Sequence, residues 1–268
     1  MGAEPTLMEY VERLVVLFRE LRRALKPEGV AWLNLGDSYA NDGKWGGSSG
    51  GKHAKDLHGA TGVGRQKVSS GLKPKDLCLV PYRVALALQA DGWWLRDNIV
   101  WHKPNPMPAS VTDRCTSAHE AVFLLTKSAR YWFDQDAIRE PSAIAGQAPK
   151  GRERNVGGRT DGLTTPVGDA GCPAGGRNKR NVWTIPTRPY SGSHYAVMPP
   201  ALVEPCIKAG CPAGGVVLDP FGGSGTVAEV AESLGRKWLM FDLDERNAAL
   251  MKKRTAQRSL LGLMGGAS

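Results

Sequence analysis

The chain lacks the features that mark membrane proteins, secreted proteins and disulfide-bonded domains. None of its apolar runs approaches the length of a membrane span. Its N-terminus has neither the basic start nor the apolar core of a signal peptide. Its five cysteines are scattered and include no C-x-x-C pair, which argues against a disulfide framework and against a zinc site. We therefore expect a cytoplasmic protein with no metal site and no membrane partner.

Acidic residues are scarce relative to basic ones. The 268 residues include 35 lysines and arginines against 26 aspartates and glutamates, so the formal net charge is +9. Such an excess favours a polyanionic partner, nucleic acid above all, with ordinary solubility charge as the alternative. The hydrophobic share of 41% and charged share of 23% are typical of a globular domain rather than a disordered chain.

Helical and extended patterns alternate along the chain, which predicts an α/β fold with a largely parallel sheet. The first helix is expected to start at Thr6, whose spacing to Glu9 matches a capping box. Predicted helices cover residues 7–25, 79–90, 200–209 and 227–234, with a last one from about 244. Predicted strands cover residues 30–35, 93–101, 120–126, 216–218 and 237–241.

Two glycine-rich basic segments interrupt this pattern. Residues 41–75 contain seven lysines and arginines against two aspartates. The second segment, residues 141–181, contains seven against three acidic residues between positions 150 and 181. Both read as loops. They could contact DNA phosphates, and the alternative is that they are solvated loops without a partner.

The strongest local signal is the segment Asp219-Pro-Phe-Gly-Gly-Ser-Gly-Thr226 between a predicted strand and a predicted helix. Its glycines allow a ligand to approach the backbone, and Asp242, at the end of the next strand, lies where an acid receives ribose hydroxyls in doubly wound folds. The spacing is not G-x-G-x-x-G, and Asp219 would repel a pyrophosphate. A nicotinamide dehydrogenase is therefore disfavoured. A ligand with an ammonium group and no phosphate, such as S-adenosylmethionine, fits better, and a tight turn without a ligand is the alternative.

This loop resembles the cofactor loop of the amino-DNA methyltransferases, which modify adenine N6 or cytosine N4. Further segments resemble family motifs in the same order: residues 34–39, residues 101–108 with 114–120, residues 181–183, and residues 193–199. The position of the cofactor loop near the C-terminus is that of the family's β class.

The resemblance implies a Rossmann-like S-adenosylmethionine-dependent methyltransferase fold with a circularly permuted motif order. Residues 1–140 would form the target-base side of the core, 141–181 a target-recognition insertion, and 182–268 the cofactor-binding part. The implied activity is site-specific transfer of a methyl group from S-adenosylmethionine to an exocyclic amine of a base flipped out of double-stranded DNA, as in a restriction-modification or phage methylase.

The resemblance also assigns candidate site residues. The cofactor-binding candidates are Asp219, Phe221, Gly223, Gly225, Thr226, Asp242, His194, Tyr195 and Ala196. The DNA-binding candidates are Lys103, Asn105, Arg114, Arg152, Arg154, Arg159, Arg177, Lys179 and Arg180.

The chain departs from the family at the catalytic motif, which is Asp, Asn or Ser, then Pro-Pro, then an aromatic residue. That motif should precede the helix that starts at Thr6, and the only Pro-Pro pair is Pro199-Pro200, followed by Ala201. No catalytic residue is therefore assigned. We expect the sheet to lack N-terminal strands, and the site to be completed by a missing N-terminal segment or a homodimer partner. The alternative is a catalytically dead subunit that binds cofactor and DNA.

Overall fold

The computed structural model describes residues 4, 6–40, 71–142, 176–187, 198–245, 247–252 and 254–255. The chain divides into two compact units, one formed by residues 1–132 with 182–187 and the other by residues 133–181 with 188–268. Across the described ranges, every helix is too short or too polar to cross a membrane.

The described residues of the first unit form two helices and four strands. The helices are α1 (Leu7–Ala24) and α2 (Val80–Ala90). The strands are β1 (Val30–Leu35), β2 (Trp94–His102), β3 (His119–Thr126) and β4 (Val182–Thr184). Helix α1 begins as expected, because the Thr6 side chain accepts a hydrogen bond from the Glu9 amide at 3.1 Å.

The sheet of the first unit has the order β1-β3-β2-β4. Strand β3 runs antiparallel to both β1 and β2, and only the β2–β4 pair is parallel. The expectation of a largely parallel sheet is therefore wrong for this unit. The physical reason is that β3 follows β2 without a crossover helix, so it returns beside β2 in the opposite direction.

The core of the first unit lies between the two helices and one face of this sheet. It includes Leu14 and Phe18 of α1, Leu88 of α2, and Phe123 of β3, all buried. Trp93, at the end of α2, is also buried and meets Phe18 edge to face, with ring centroids 5.9 Å apart. These contacts fix the strands whose ends carry the polar side chains described below.

The second unit contains a two-stranded parallel sheet of β5 (Val216–Asp219) and β6 (Lys237–Met240). Helix α4 (Thr226–Ser233) connects the two strands, and α3 (Pro200–Gly210) packs against α4. A short 3-10 helix (Asp136–Ile138) precedes the second basic segment. Residues 247–252 are helical, close to where the last helix was predicted.

One face of the β5–β6 sheet is covered and the other is exposed. Buried Val203, Ile207 and Val230 of α3 and α4 pack together, with Val217 and Trp238 of the sheet against them. On the other face, Val216 is 62% exposed and Leu239 is 49% exposed. Parallel strands are normally covered on both faces, so this exposed apolar face is unusual.

Candidate cofactor and DNA site

The predicted cofactor loop is held between the carboxyl ends of β5 and β6. The Phe241 amide donates to the Asp219 carbonyl at 2.9 Å, and the Gly222 amide donates to the Phe241 carbonyl at 2.7 Å. These bonds continue the pairing of the two strands into the loop. The loop backbone is therefore fixed beside the end of the second strand.

Two glycines of the loop lie in tight contact with a side chain of the protein itself. Gly225 has a φ of +81° and caps α4, and a Cβ there would lie 3.0 Å from Cγ of Met251. A Cβ at Gly222 would lie 3.1 Å from Sδ of Met251. Sequence analysis missed Met251, and the only signal for it was its place in the predicted last helix.

Asp242 organises the loop through its carboxylate. Its Oδ2 accepts from the Gly223 amide at 2.8 Å, and its Oδ1 accepts from the Asp244 amide at 2.8 Å and from Nδ2 of Asn247 at 3.0 Å. Gly223 itself has a φ of +50°. The predicted ribose-binding acid is thus also the residue that joins the loop to the start of the last helix.

Asp219 is a carboxyl group in a site of excess negative charge. Burial raises its pKa, the nearby Asp242 charge raises it further, and the hydrogen bond from the Phe221 amide at 2.9 Å opposes them. Burial and the Asp242 charge both disfavour the ionised carboxylate of Asp219, and a positively charged ligand would offset these two effects. A phosphate would aggravate them.

The remaining loop side chains divide into exposed and buried ones. Phe221 is 51% exposed beside the site, while Ser224 and Thr226 are buried. The Ser224 hydroxyl accepts from Nη1 of Arg254 at 3.0 Å, and Arg254 also pairs with Glu229 of α4. Arg254 therefore attaches the last helix to the loop through Ser224 and to α4 through Glu229. Neither Arg254 nor Glu229 was identified from the sequence.

Several predicted site residues lie outside the described residues. They are His194, Tyr195 and Ala196 of the predicted cofactor cover, and Arg152, Arg154 and Arg159 of the second basic segment. Their roles remain predictions.

In the first unit, predicted DNA-binding Lys103 is already engaged within the protein. Its ammonium pairs with Glu120 of β3 and lies 4.5 Å from the centroid of the Trp101 ring. Glu120 also accepts from Nδ2 of Asn34 at 3.1 Å. Glu120 thus binds two side chains at the end of the sheet where β1 and β2 finish.

Asn105 and Arg114 lie in the loop between β2 and β3. Asn105 makes two hydrogen bonds to the backbone of Thr187. Its Oδ1 accepts from the Thr187 amide at 2.9 Å, and its Nδ2 donates to the Thr187 carbonyl at 3.0 Å. The Arg114 guanidinium lies 3.8 Å from the centroid of the Tyr39 ring. The loop is therefore anchored within the first unit, and Arg114 is held on an aromatic face.

Arg177, Lys179 and Arg180 lie in the second unit, at the C-terminal end of the second basic segment. The carboxylate of Glu140 accepts from Nε of Arg180 at 2.9 Å and from Nε of Arg177 at 3.3 Å. Sequence analysis did not single out Glu140, since nothing in its local pattern relates it to residues some forty positions away.

A strand, glycine loop, helix and parallel strand, with carboxylates at both strand ends, define a Rossmann-like nucleoside-binding unit. A family model described as DNA methylase, for N6 and N4 methyltransferases, matches residues 2–253. The Type II methyltransferase M.SmaI of Serratia marcescens is 42% identical over 96% of this chain and 77% of its own length. M.XycI of Xanthomonas campestris pv. cyanopsidis is 39% identical over 94% of this chain and 73% of its own length.

Solved structures show the same fold. A PvuII DNA methyltransferase described as cytosine-N4-specific has a TM-score of 0.61 at 18% identity, covering 92% of this chain and 71% of its own. A putative DNA modification methylase of Thermus thermophilus, complexed with S-adenosyl-L-methionine, has a TM-score of 0.57 at 20% identity, covering 93% and 78%. The chain belongs to the DNA methylase family and is an S-adenosylmethionine-dependent DNA methyltransferase.

Proposed function

We propose that this methyltransferase modifies cytosine N4 or adenine N6 of a base flipped out of double-stranded DNA, as the methylase of a cytoplasmic restriction-modification system. The observation that carries the proposal is the pair of carboxylates, Asp219 and Asp242, at the ends of adjacent parallel strands around a fixed glycine loop. The Type II methyltransferase relatives support the biological setting.

The cofactor's positively charged methionine end binds at Asp219, with Phe221 alongside. The ribose hydroxyls bind at Asp242, whose hydrogen bond to Gly223 couples ribose binding to the shape of the loop. Residues 194–196 close the pocket. The fit rests on charge, because a sulfonium or ammonium group relieves the cost of burying one carboxylate near another.

The bound cofactor supplies an electrophilic methyl group on a cationic sulfur. The amine nitrogen forms a bond to the methyl carbon, the carbon–sulfur bond breaks, and its electron pair stays on sulfur as a neutral thioether. The amine then gives up a proton to a neighbouring acceptor. Flipping the base brings the amine out of the stack and next to the methyl group, so positioning is the main task of the protein.

Binding of DNA is divided between the two units. Lys103, Asn105 and Arg114 line the polar end of the first unit's sheet, where the flipped base is held. Residues 141–181 recognise the target sequence, with Arg177, Lys179 and Arg180 on phosphates at their C-terminal end. Sequence preference comes from base-edge contacts that these residues orient.

The catalytic motif is contributed by a further polypeptide segment, since a second copy of this chain would lack the motif as well. The exposed apolar face of the β5–β6 sheet supports this part of the proposal, because Val216 and Leu239 would be covered by such a segment. Adding a peptide that carries the family motif should raise methylation by the chain. An active monomer whose native mass matches residues 1–268 would contradict it.

The test of the cofactor site is a calorimetric titration with S-adenosylmethionine, after circular dichroism has confirmed the fold. We expect saturable binding of one cofactor per chain and no binding of a nicotinamide dinucleotide. Incubation with radiolabelled cofactor and plasmid DNA, followed by hydrolysis to nucleosides, then identifies the methylated base. A folded chain that binds no S-adenosylmethionine would refute the proposed site.

A further inference from the structure

The two ends of the second basic segment are joined by a short antiparallel bridge, which we call the neck (residues 139–140 and 176–180). The Glu140 amide donates to the Arg177 carbonyl at 2.9 Å, and the Arg177 amide donates to the Glu140 carbonyl at 2.9 Å. The chain therefore enters and leaves this segment side by side. The neck therefore fixes the two points at which residues 143–175 begin and end.

Glycine is required for this bridge. Gly176 has a φ of +100°, and a Cβ there would lie 2.1 Å from the Glu140 carbonyl oxygen. That distance is far inside van der Waals contact with backbone, so no other residue fits without moving the neck. The close approach is thus a built feature of the fold.

Side chains reinforce the backbone bridge from both directions. Glu140 accepts from Nε of Arg177 and of Arg180, and its Oε1 accepts from the Arg180 amide at 3.3 Å. On the other side, Nη1 of Arg139 donates to the Gly176 carbonyl at 3.2 Å and to Oδ1 of Asn178 at 3.0 Å. One carboxylate, that of Glu140, thus bonds the side chains of both Arg177 and Arg180.

Burial separates the carboxylate from the arginines. The Glu140 side chain is 16% exposed, whereas those of Arg177 and Arg180 are 46% and 66% exposed. Burial works to raise the pKa of Glu140, but the hydrogen bonds from Arg180 and the charge of Lys179 outweigh it and hold that pKa below its usual value. The neck thus presents two guanidinium groups, those of Arg177 and Arg180, to solvent over one ionised carboxylate.

We propose that Glu140 is a positioning residue for DNA, which holds Arg177 and Arg180 in the direction that engages backbone phosphates at the base of the recognition segment. This inference rests on the proposed function of residues 141–181. An arginine that is ordered before binding loses less side-chain entropy when it meets a phosphate. A phosphate contact at the neck would also fix the register of the recognition segment on the duplex.

An argument from net charge alone predicts the opposite change in DNA affinity, so the direction of the change distinguishes the two explanations. Removing an acidic charge near a phosphate should tighten DNA binding. If Glu140 positions the arginines, Glu140→Gln should instead weaken it, although the protein becomes more positive. The matched control is Glu204→Gln on α3, which removes one carboxylate from an exposed pair with Lys208 in the same unit.

The experiment starts by selecting a preferred duplex with the wild-type chain from a random pool, in the presence of S-adenosylmethionine. Fluorescence anisotropy then measures binding of that duplex and of a scrambled one over a range of salt concentrations. We expect Glu140→Gln to bind the preferred duplex roughly three- to tenfold more weakly, the effect of losing ordered ion pairs. The slope of log affinity on log salt should become shallower by about 0.9 for each phosphate that the variant no longer neutralises.

Two further variants separate positioning from folding. Glu140→Asp keeps the charge and should recover part of the affinity and the preference for the selected duplex. In an Arg180→Gln background, Glu140→Gln should have a smaller effect, because the residue acts through that arginine. Arg180 is exposed, so Arg180→Gln alone should fold, and its weaker DNA binding tests the phosphate contact even if Glu140→Gln melts early.

The inference is overturned if Glu140→Gln behaves like Glu204→Gln, with equal or tighter binding and an unchanged preference between duplexes. It is also overturned if the two substitutions at Glu140 and Arg180 act independently. A wild-type chain that binds S-adenosylmethionine but no duplex would refute the proposed DNA-binding role, and this inference with it. The two failures are therefore distinguishable.

Discussion

Replacing Asp242 by asparagine tests the cofactor site at its central residue. The substitution keeps an oxygen that can accept from the Asp244 amide and Asn247, but it places an NH2 group against the Gly223 amide. A hydrogen bond to a charged acceptor contributes about 1.5–3 kcal/mol. Its loss corresponds to a decrease of about 10- to 150-fold in affinity if the loop must keep its shape to bind the cofactor.

The assay is calorimetric titration of Asp242→Asn and of Glu232→Gln with S-adenosylmethionine, alongside thermal melts. Glu232 lies exposed on α4, so its substitution removes the same charge from the same unit without touching the loop. An Asp242→Asn protein that melts like the wild type and binds within about threefold of it would refute the reasoning.

A cofactor analogue lacking one ribose hydroxyl separates the two roles of Asp242. If the carboxylate binds the ribose, the wild type should lose affinity for the analogue and Asp242→Asn should not discriminate between the two ligands. If it only shapes the loop, both proteins should respond to the analogue equally. That second result would remove Asp242 from the ribose site while keeping it in the loop.

Three other predictions address the loop, its charge and the first unit. Gly225→Ala should lower the free energy of unfolding by about 1–3 kcal/mol, because alanine is strained at the positive φ of this position and its Cβ would press on Met251. Urea melts measure this, and an unchanged midpoint would contradict it. Since the pKa of Asp219 is raised and a cation binds its ionised form, cofactor affinity should fall as the pH drops through that raised pKa, above the ordinary 3.8. Asp219→Asn should bind weakly and without that dependence, and a wild type with pH-independent affinity would argue against the charge model. Lys103→Met should lower the free energy of unfolding by about 1–3 kcal/mol, because it leaves the partly buried Glu120 without its cation. It should also weaken DNA binding. Weaker DNA binding at an unchanged free energy of unfolding would make Lys103 a phosphate contact only.

The local chemistry of the chain was largely readable from residue order. The Thr6 cap, the helix–strand alternation and the strand–loop–helix–strand unit around Asp219 depend on contacts within a few residues or on adjacent elements. Local sequence preference is strong for such features, since caps, glycine turns and hydrophobic periods act at short range. The family assignment rested on the same short segments taken in order.

Strand pairing and long-range contacts could not be predicted from such short segments. Alternation of helices and strands predicted a parallel sheet, but the direct connection from β2 to β3 makes that pair antiparallel. Met251 fills the space beside Gly222 and Gly225, and the sequence of the loop does not indicate that contact. Both outcomes depend on which distant surfaces meet, and a local pattern does not specify that.

By itself the sequence determined the class of fold, the glycine-rich turn between β5 and α4, the basic surplus and the family, because each is a property of composition or of short segments. Only the tertiary structure decided that Asp242 holds the loop through Gly223, that Lys103 is paired with Glu120, and that Glu140 binds two arginines. These three are hydrogen bonds between groups 17 to 40 positions apart in the chain. They form where folding brings the groups together and burial makes an unpaired charge costly. Neither condition can be predicted from the residues next to each group in the sequence.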